Sequence, residues 1–287
     1  MQKLIAWWSQ LYARLVDRPF AERTVIKGRY RVEAVLGMGS YGITYLCEDS
    51  HSGQRCVLKQ VRPSKLGSKK GRPVYEYEIS VLQALDHPQI PKLLESFADR
   101  GQLFLAMEYK EGKTWEDLIF EEGYTISERE ALQVILDLLG IVEYVHQHGL
   151  VHRDVRIPNV IIKDGTMHLI DFGLARYLGD SATYIEESLD AYLLEKQIKR
   201  EVAFRSDYFG LGHFLLFLLY TSFQPADEAE ELPWEEELDL TPKTRQLIRR
   251  MIQMDEPYES ADALRADLLI ALAHSANVHN SAPKKEI

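Results

Sequence analysis

The chain has 287 residues, 46% hydrophobic and 27% charged, the composition of an ordinary globular protein with room for one or two domains. A formal net charge of −10 argues against a nucleic-acid surface, which calls for a basic face, and no apolar run approaches the roughly 18 residues of a membrane span. The N-terminus lacks the basic start, apolar run and cleavage site of a secretory leader. Cys47 and Cys56 show neither metal-ligand spacing nor a disulfide framework, so both are expected to be plain thiols in a reducing cytoplasm.

Residues 2–18 read as an amphipathic helix, with Leu4, Trp8, Leu11 and Leu15 at helical spacing and Ile5 and Tyr12 beside them. Lys3, Arg14 and Arg18 add positive charge. Such a helix suits two placements: packed on the sheet that follows it, or laid on a membrane or partner surface. The texture then changes to three short strands, Tyr30–Leu36, Ile43–Glu48 and Arg55–Val61, split by glycine-rich turns. A basic run from Arg62 to Arg72 is expected to be a solvent-exposed, mobile loop. A helix over 74–86 and strands near Lys92–Phe97 and Leu103–Tyr109 follow. From Ile126 onward the pattern is helical: 127–148 behind the cap pair Ser127 and Glu130, then 205–221, 241–254 and 260–274, before a polar tail. This is an α+β chain, a small β-rich unit and a larger helical one, joined near Glu108–Lys113. Eight acidic residues between Asp227 and Asp239 read as a solvated face or as a docking patch for basic partners.

Gly37, Gly39 and Gly42 form G-x-G-x-x-G, a loop whose backbone can approach phosphates. A strand follows it rather than a helix, which excludes the dinucleotide-binding reading and leaves a hairpin. Lys59 ends the third strand, and Glu78 lies 19 residues on in a helix. Taken singly, each reads as a surface charge; together they make a pair able to grip phosphates. The segment Val151-His152-Arg153-Asp154-Val155-Arg156-Ile157-Pro158-Asn159 places a carboxylate and a carboxamide in one tight loop, and Asp171-Phe172-Gly173 begins twelve residues after Asn159. Phosphoryl transfer needs such a set: hard oxygen ligands for Mg²⁺ and a group to take the acceptor's proton.

In order and spacing these motifs resemble those of the eukaryotic-type (Hanks-type) protein kinases, over about residues 28–274, most closely the small bacterial serine/threonine kinases. The resemblance implies a bilobal protein-kinase fold, a small lobe over 27–109 and a helical lobe over 110–275, behind an amphipathic helical extension over 1–26 and before a polar tail over 276–287. It implies ATP and Mg²⁺, with a protein substrate. Lys59 would hold phosphates and pair with Glu78. Asp154 would accept the acceptor proton, with Arg156 beside it. Asn159 and Asp171 would bind Mg²⁺. Gly37, Gly39, Gly42, Thr44, Val57, Met107, Glu108, Tyr109 and Ile161 would enclose the nucleotide. Leu82, Leu93, His152 and Phe172 would form the family's stacked apolar column, and Asp207 would anchor the catalytic loop. The chain is expected to be cytoplasmic, or peripheral at a membrane through residues 2–18.

Several positions depart from that pattern. Thr44 stands where valine is usual, Val57 where alanine is common, and Arg156 where serine/threonine kinases carry lysine. The stretch before Asp207 lacks the A-P-E sequence, with Glu195 as a remnant, and no arginine partner is evident at 256–259. Residues 183–201 instead read as a helix. Ser181, Thr183, Tyr184 and Ser188 are candidate phosphorylation sites facing Arg153. A pseudokinase and a small-molecule phosphotransferase are the alternatives. Against the first, every chemical position is intact; against the second, Arg153 follows His152 and there is no large substrate insertion.

Overall fold

Alternating side chains build the first sheet. Tyr30, Val32, Ile43, Tyr45, Cys47, Cys56 and Leu58 fall on one parity, and all are buried together with Ile26, Phe104 and Ala106. The computed structural model describes residues 16–67, 71–180, 198–224 and 232–280. These make two compact units that part between Glu111 and Gly112.

The first unit contains β1 (Val25–Ile26), β2 (Tyr30–Met38), β3 (Gly42–Asp49), β4 (Arg55–Val61), α1 (Pro63–Leu66), α2 (Gly71–Ala84), β5 (Leu93–Asp99) and β6 (Gln102–Glu108). Its strands form one antiparallel sheet in the order β1-β2-β3-β4-β6-β5. Two expectations are corrected here. The basic run after β4 is not loop throughout, since α1 lies within it and α2 begins at Gly71 near its end; residues 68–70 lie outside those described. The end of the 1–26 extension is not helical either, because Val25 and Ile26 pair with Arg31 and Tyr30 as an edge strand. Only Val16 of the expected N-terminal helix falls among the described residues in helical form; residues 2–15 lie outside them. Cys47 and Cys56 are free, buried and opposite one another, and burial pushes their thiols up to about 12 and about 11.

The second unit begins with β7 (Lys113–Thr114), α3 (Trp115–Phe120), α4 (Glu128–Gln147) and β8 (Leu150–Val151). A 3-10 turn (Ile157–Asn159), β9 (Val160–Lys163), β10 (Thr166–Leu169) and β11 (Arg176–Tyr177) follow. It ends with α5 (Phe204–Tyr220), α6 (Trp234–Glu237), α7 (Pro242–Met251) and α8 (Ala261–Asn280). α4 starts at the expected capping box: Ser127 Oγ accepts from the Glu130 N–H, and the Glu130 carboxylate accepts from the Ser127 N–H. α5 is apolar on nearly all sides and is packed by α4 and α7. Of the acidic run, Glu235 pairs with Arg249 and Glu237 accepts from the Tyr220 hydroxyl, so part of it is used within the unit. No helix among the described residues is long and apolar enough to cross a membrane.

Candidate active site

In the small unit, register decides which side chains share the sheet face opposite the core. Thr44 lies opposite Lys59, Leu46 opposite Val57, Val57 opposite Met107 and Lys59 opposite Leu105. Thr44, Val57, Lys59 and Met107, all singled out from the sequence, therefore lie on one face. Leu105 belongs to it too; strand parity carried that signal, but no motif marks the residue. Lys59 Nζ donates to Glu78 Oε1 at 2.7 Å, and the Glu78 side chain is 5% exposed. Glu78, Val81 and Leu82 are buried at i, i+3 and i+4, so the apolar positions of α2 turn the carboxylate inward. A buried carboxylate needs such a partner; removing it costs on the order of 3–5 kcal/mol.

The glycine-rich loop is the β2–β3 hairpin, closed where the Gly39 N–H donates to the Gly42 carbonyl at 2.9 Å. None of its three glycines has a positive φ, so their role here is room rather than unusual torsion. A Cβ at Gly42 would sit 3.3 Å from Lys59 Cγ and Cε and from the Gln60 carbonyl. At Gly37 nothing lies within 4 Å of an added Cβ, and at Gly39 only the Gly42 carbonyl does, at 3.9 Å. That open backbone, beside a paired lysine, fits the phosphates of a nucleotide. At the end of β6 the Glu108 N–H donates to the Lys92 carbonyl, and the Glu108 carboxylate holds Lys110.

In the large unit the loop carrying His152, Arg153 and Asp154 hangs from Asp207, which is fully buried. Its carboxylate accepts from the His152 N–H at 2.8 Å and the Arg153 N–H at 2.7 Å, and lies 2.8 Å from His146 Nε2. Arg153 adopts a φ of 65°, a left-handed value uncommon for a residue with a side chain. Asn159 Nδ2 donates to Asp154 Oδ2 at 2.8 Å and to the Asp154 carbonyl at 2.9 Å. The Asn159 carbonyl in turn accepts from the Ile170 N–H at 2.9 Å, which brings Asp171 next to Asn159. Asp171 is exposed, at φ 61°. With Nδ2 engaged, Asn159 has Oδ1 to offer a cation, and the Asp171 carboxylate supplies a second hard oxygen. This donor set fits Mg²⁺, which takes one or two protein oxygens beside phosphate. Arg156 Nε reaches Asp154 Oδ2 only at 3.3 Å, and its side chain is mostly exposed.

His152 and Phe172 pack edge to face, 4.7 Å between ring centres. Ile161 lies on β9 opposite Thr114 and His168. Gly112, which no motif marks, crosses close to it: φ is 137°, and a Cβ would fall 2.5 Å from the Ile162 carbonyl and 2.8 Å from Ile161 Cγ2. Arg153 Nε donates to the Arg200 carbonyl at 2.9 Å, and Nη1 to the Leu174 carbonyl at 3.1 Å. Ser181, Thr183, Tyr184, Ser188 and Glu195 lie outside the described residues, as does the expected 183–201 helix except for its last residues. Arg205 pairs with Glu201, and the charge of Glu259 adds to the rise in its pKa. No arginine stands at 256–259, as the sequence already indicates.

A curled antiparallel sheet with a lysine–glutamate pair, and a helical unit presenting Asp154, Asn159 and Asp171, define the class of phosphoryl-transferring folds with a glycine-rich hairpin. The chain belongs to the protein kinase family: the protein kinase domain model matches residues 30–269. It is 37% identical over 254 residues to the protein named "probable serine/threonine-protein kinase YbdM" of Bacillus subtilis, covering 88% of this chain and 93% of that one. It is 32% identical to the serine/threonine-protein kinase PknA of Nostoc sp., covering 79% of this chain but 44% of that longer protein. The crystal structure of the PknI kinase domain of Mycobacterium tuberculosis shares the fold at a TM-score of 0.63 and 22% identity, over 88% of this chain and 100% of that one.

Proposed function

We propose that this kinase transfers the γ-phosphate of ATP to serine or threonine hydroxyls of proteins. The observation that carries the reading is the linked set Asp207, His152–Arg153, Asp154, Asn159 and Asp171: the first four are joined by hydrogen bonds or along the chain, and Asp171 is tied to Asn159 through its neighbour Ile170, whose N–H donates to the Asn159 carbonyl. Asp154 is the group for the acceptor proton, because its carboxylate is half-buried and oriented by Asn159. Asn159 Oδ1 and Asp171 would hold Mg²⁺, which neutralises phosphate charge when bound. Lys59 and the glycine-rich loop bind phosphates, and Thr44, Val57 and Met107, on one face of the small unit's sheet, border adenine. The Glu108 N–H is engaged by Lys92, so a main-chain bond from Glu108 to adenine comes through its carbonyl. Arg156 supplies positive charge near Asp154 with a planar head rather than an ammonium.

The test is turnover and affinity in parallel. Asp154→Asn is expected to cut turnover by about 10²-fold or more with the affinity for Mg-ATP retained, and Asp171→Asn to lose Mg²⁺-dependent binding as well. Mass spectrometry of proteins incubated with enzyme and ATP should find phosphoserine or phosphothreonine. Near-wild-type turnover in both variants, or phosphate on small molecules alone, would overturn the reading.

A further inference from the structure

The proposed mechanism makes no use of residues 16–20 or of Arg62, yet Arg62 reaches the glycine-rich loop and Asp17 holds Arg62. Asp17 is 5% exposed, far into the unit for a carboxylate. Its Oδ1 accepts from the Ser64 N–H at 2.8 Å; its Oδ2 accepts from Ser64 Oγ at 2.6 Å and from Arg62 Nε at 2.8 Å, and is ion-paired with Arg62 Nη2 at 2.8 Å. The remaining guanidinium nitrogen, Arg62 Nη1, donates to the Gly39 carbonyl at 3.1 Å, and the Arg62 main-chain N–H donates to the Tyr41 carbonyl at 2.8 Å. All of these groups belong to the small unit.

A guanidinium is a rigid planar fork. Once two of its nitrogens are fixed on a buried carboxylate, the direction of the third is set. That third nitrogen meets the middle glycine of the loop, which has no side chain with which to hold itself. Loop order therefore has to come through main-chain groups, and Arg62 supplies two of the bonds. A phosphate-binding loop ordered before its ligand arrives loses less freedom on binding. Asp17 precedes residue 30, where the match to the family model begins.

We propose that Asp17 and Arg62 form a clamp on the glycine-rich loop, making Asp17 a positioning residue for nucleotide binding. This rests on the reading of that loop as the site for ATP phosphates. The experiment uses the full chain as wild type, Asp17→Ala, Arg62→Ala, the double variant and Arg62→Lys. Hydrogen–deuterium exchange of peptides spanning Gly37–Gly42 is read without nucleotide, and KM is read separately for Mg-ATP and for the protein acceptor. Each alanine variant is expected to speed exchange in the loop and to raise the KM for ATP roughly fivefold, with the KM for the acceptor unmoved. The double variant should be no worse than either single one. Arg62→Lys keeps a charge for Asp17 but cannot fork to Gly39; it should loosen the loop while melting close to wild type, which separates the clamp from folding. A lower melting temperature with unchanged loop exchange and unchanged ATP KM would overturn the clamp, as would a lowered ATP KM. Faster loop exchange in a protein whose wild type binds no Mg-ATP would support the clamp and refute the ATP reading instead.

Discussion

Asp207 shows how one residue sets the catalytic loop and its response to acid. Burial pushes its carboxyl up, but the His146 hydrogen bond, the nearby charges of His146 and His152 and the Arg153 N–H pull it further down, and it settles below its ordinary 3.8. A group whose folded pKa is depressed stabilises the fold above its unfolded value, and that contribution is lost as pH falls through the folded value. The window is therefore below about pH 4. Asp207→Asn keeps the shape but removes the charge. It is expected to cost about 2–3 kcal/mol at pH 7, because buried N–H groups lose an ionic acceptor. It should also flatten the dependence of unfolding free energy on pH below about pH 4. Urea titrations at a series of pH values check both; curves parallel to wild type across that range would remove Asp207 from the acid response. At this scale part of the local arrangement was legible: Lys59 and Glu78 pair as their types and spacing led one to expect, and Asp154 and Asn159 share one tight loop, although the bond between them was not foreseen. What they could not expose is Arg62. It sits in an ordinary basic run, and its meaning depends on a carboxylate 45 residues earlier in the chain.

Among the elements, strands with one buried face were legible because parity is visible in a sequence, and α4 because its capping box is local. Short elements were not. α1 has four residues from a run of proline, serine, lysine and glycine that reads as loop by propensity. Its Ser64 N–H and hydroxyl are satisfied by Asp17, a tertiary contact that no window of sequence contains. α5 was recognised as buried, but its closest approach was not. A Cβ on Gly210 would meet the Val155 carbonyl at 2.8 Å, so only glycine lets the helix lie against the catalytic loop. Gly210→Ala has to push that loop, since the opposing atom is main chain and cannot rotate away. Overpacking of this kind costs about 1–3 kcal/mol, and here the displaced residues are Val155 and its neighbour Asp154. The expected result is a turnover that falls by about tenfold while Mg-ATP affinity stays near wild type. Equal losses in affinity and turnover would mean that the strain is relieved elsewhere.

For the molecule as a whole, two unequal units, one of sheet and one of helices, followed from the change in periodicity near residue 110. The disposition of the N-terminal extension was left open between the small unit and a membrane, because an amphipathic pattern does not name the surface it covers. Residues 16–26 favour the protein. The Phe20 N–H donates to the Tyr45 hydroxyl at 3.2 Å, and that hydroxyl donates to Gln60 at 2.7 Å. The Phe20 ring packs 5.8 Å from Tyr45 and 6.3 Å from Phe104, and Asp17 is buried on Arg62 and Ser64. A chain starting at Thr24 loses all of this while keeping β1. The partly buried Phe20 alone is worth about 1–2 kcal/mol. Truncation should therefore lower the melting temperature by roughly 2–8 °C from that contact alone, and by more once Arg62 has lost its partner. Thermal melts of the full and truncated chains should be read beside their sedimentation with vesicles containing anionic lipid. Equal, negligible lipid binding with the melting temperature lowered is the outcome expected of an extension docked on its own sheet. An unchanged melting temperature, with lipid binding confined to the full chain, would instead assign the extension to a membrane surface.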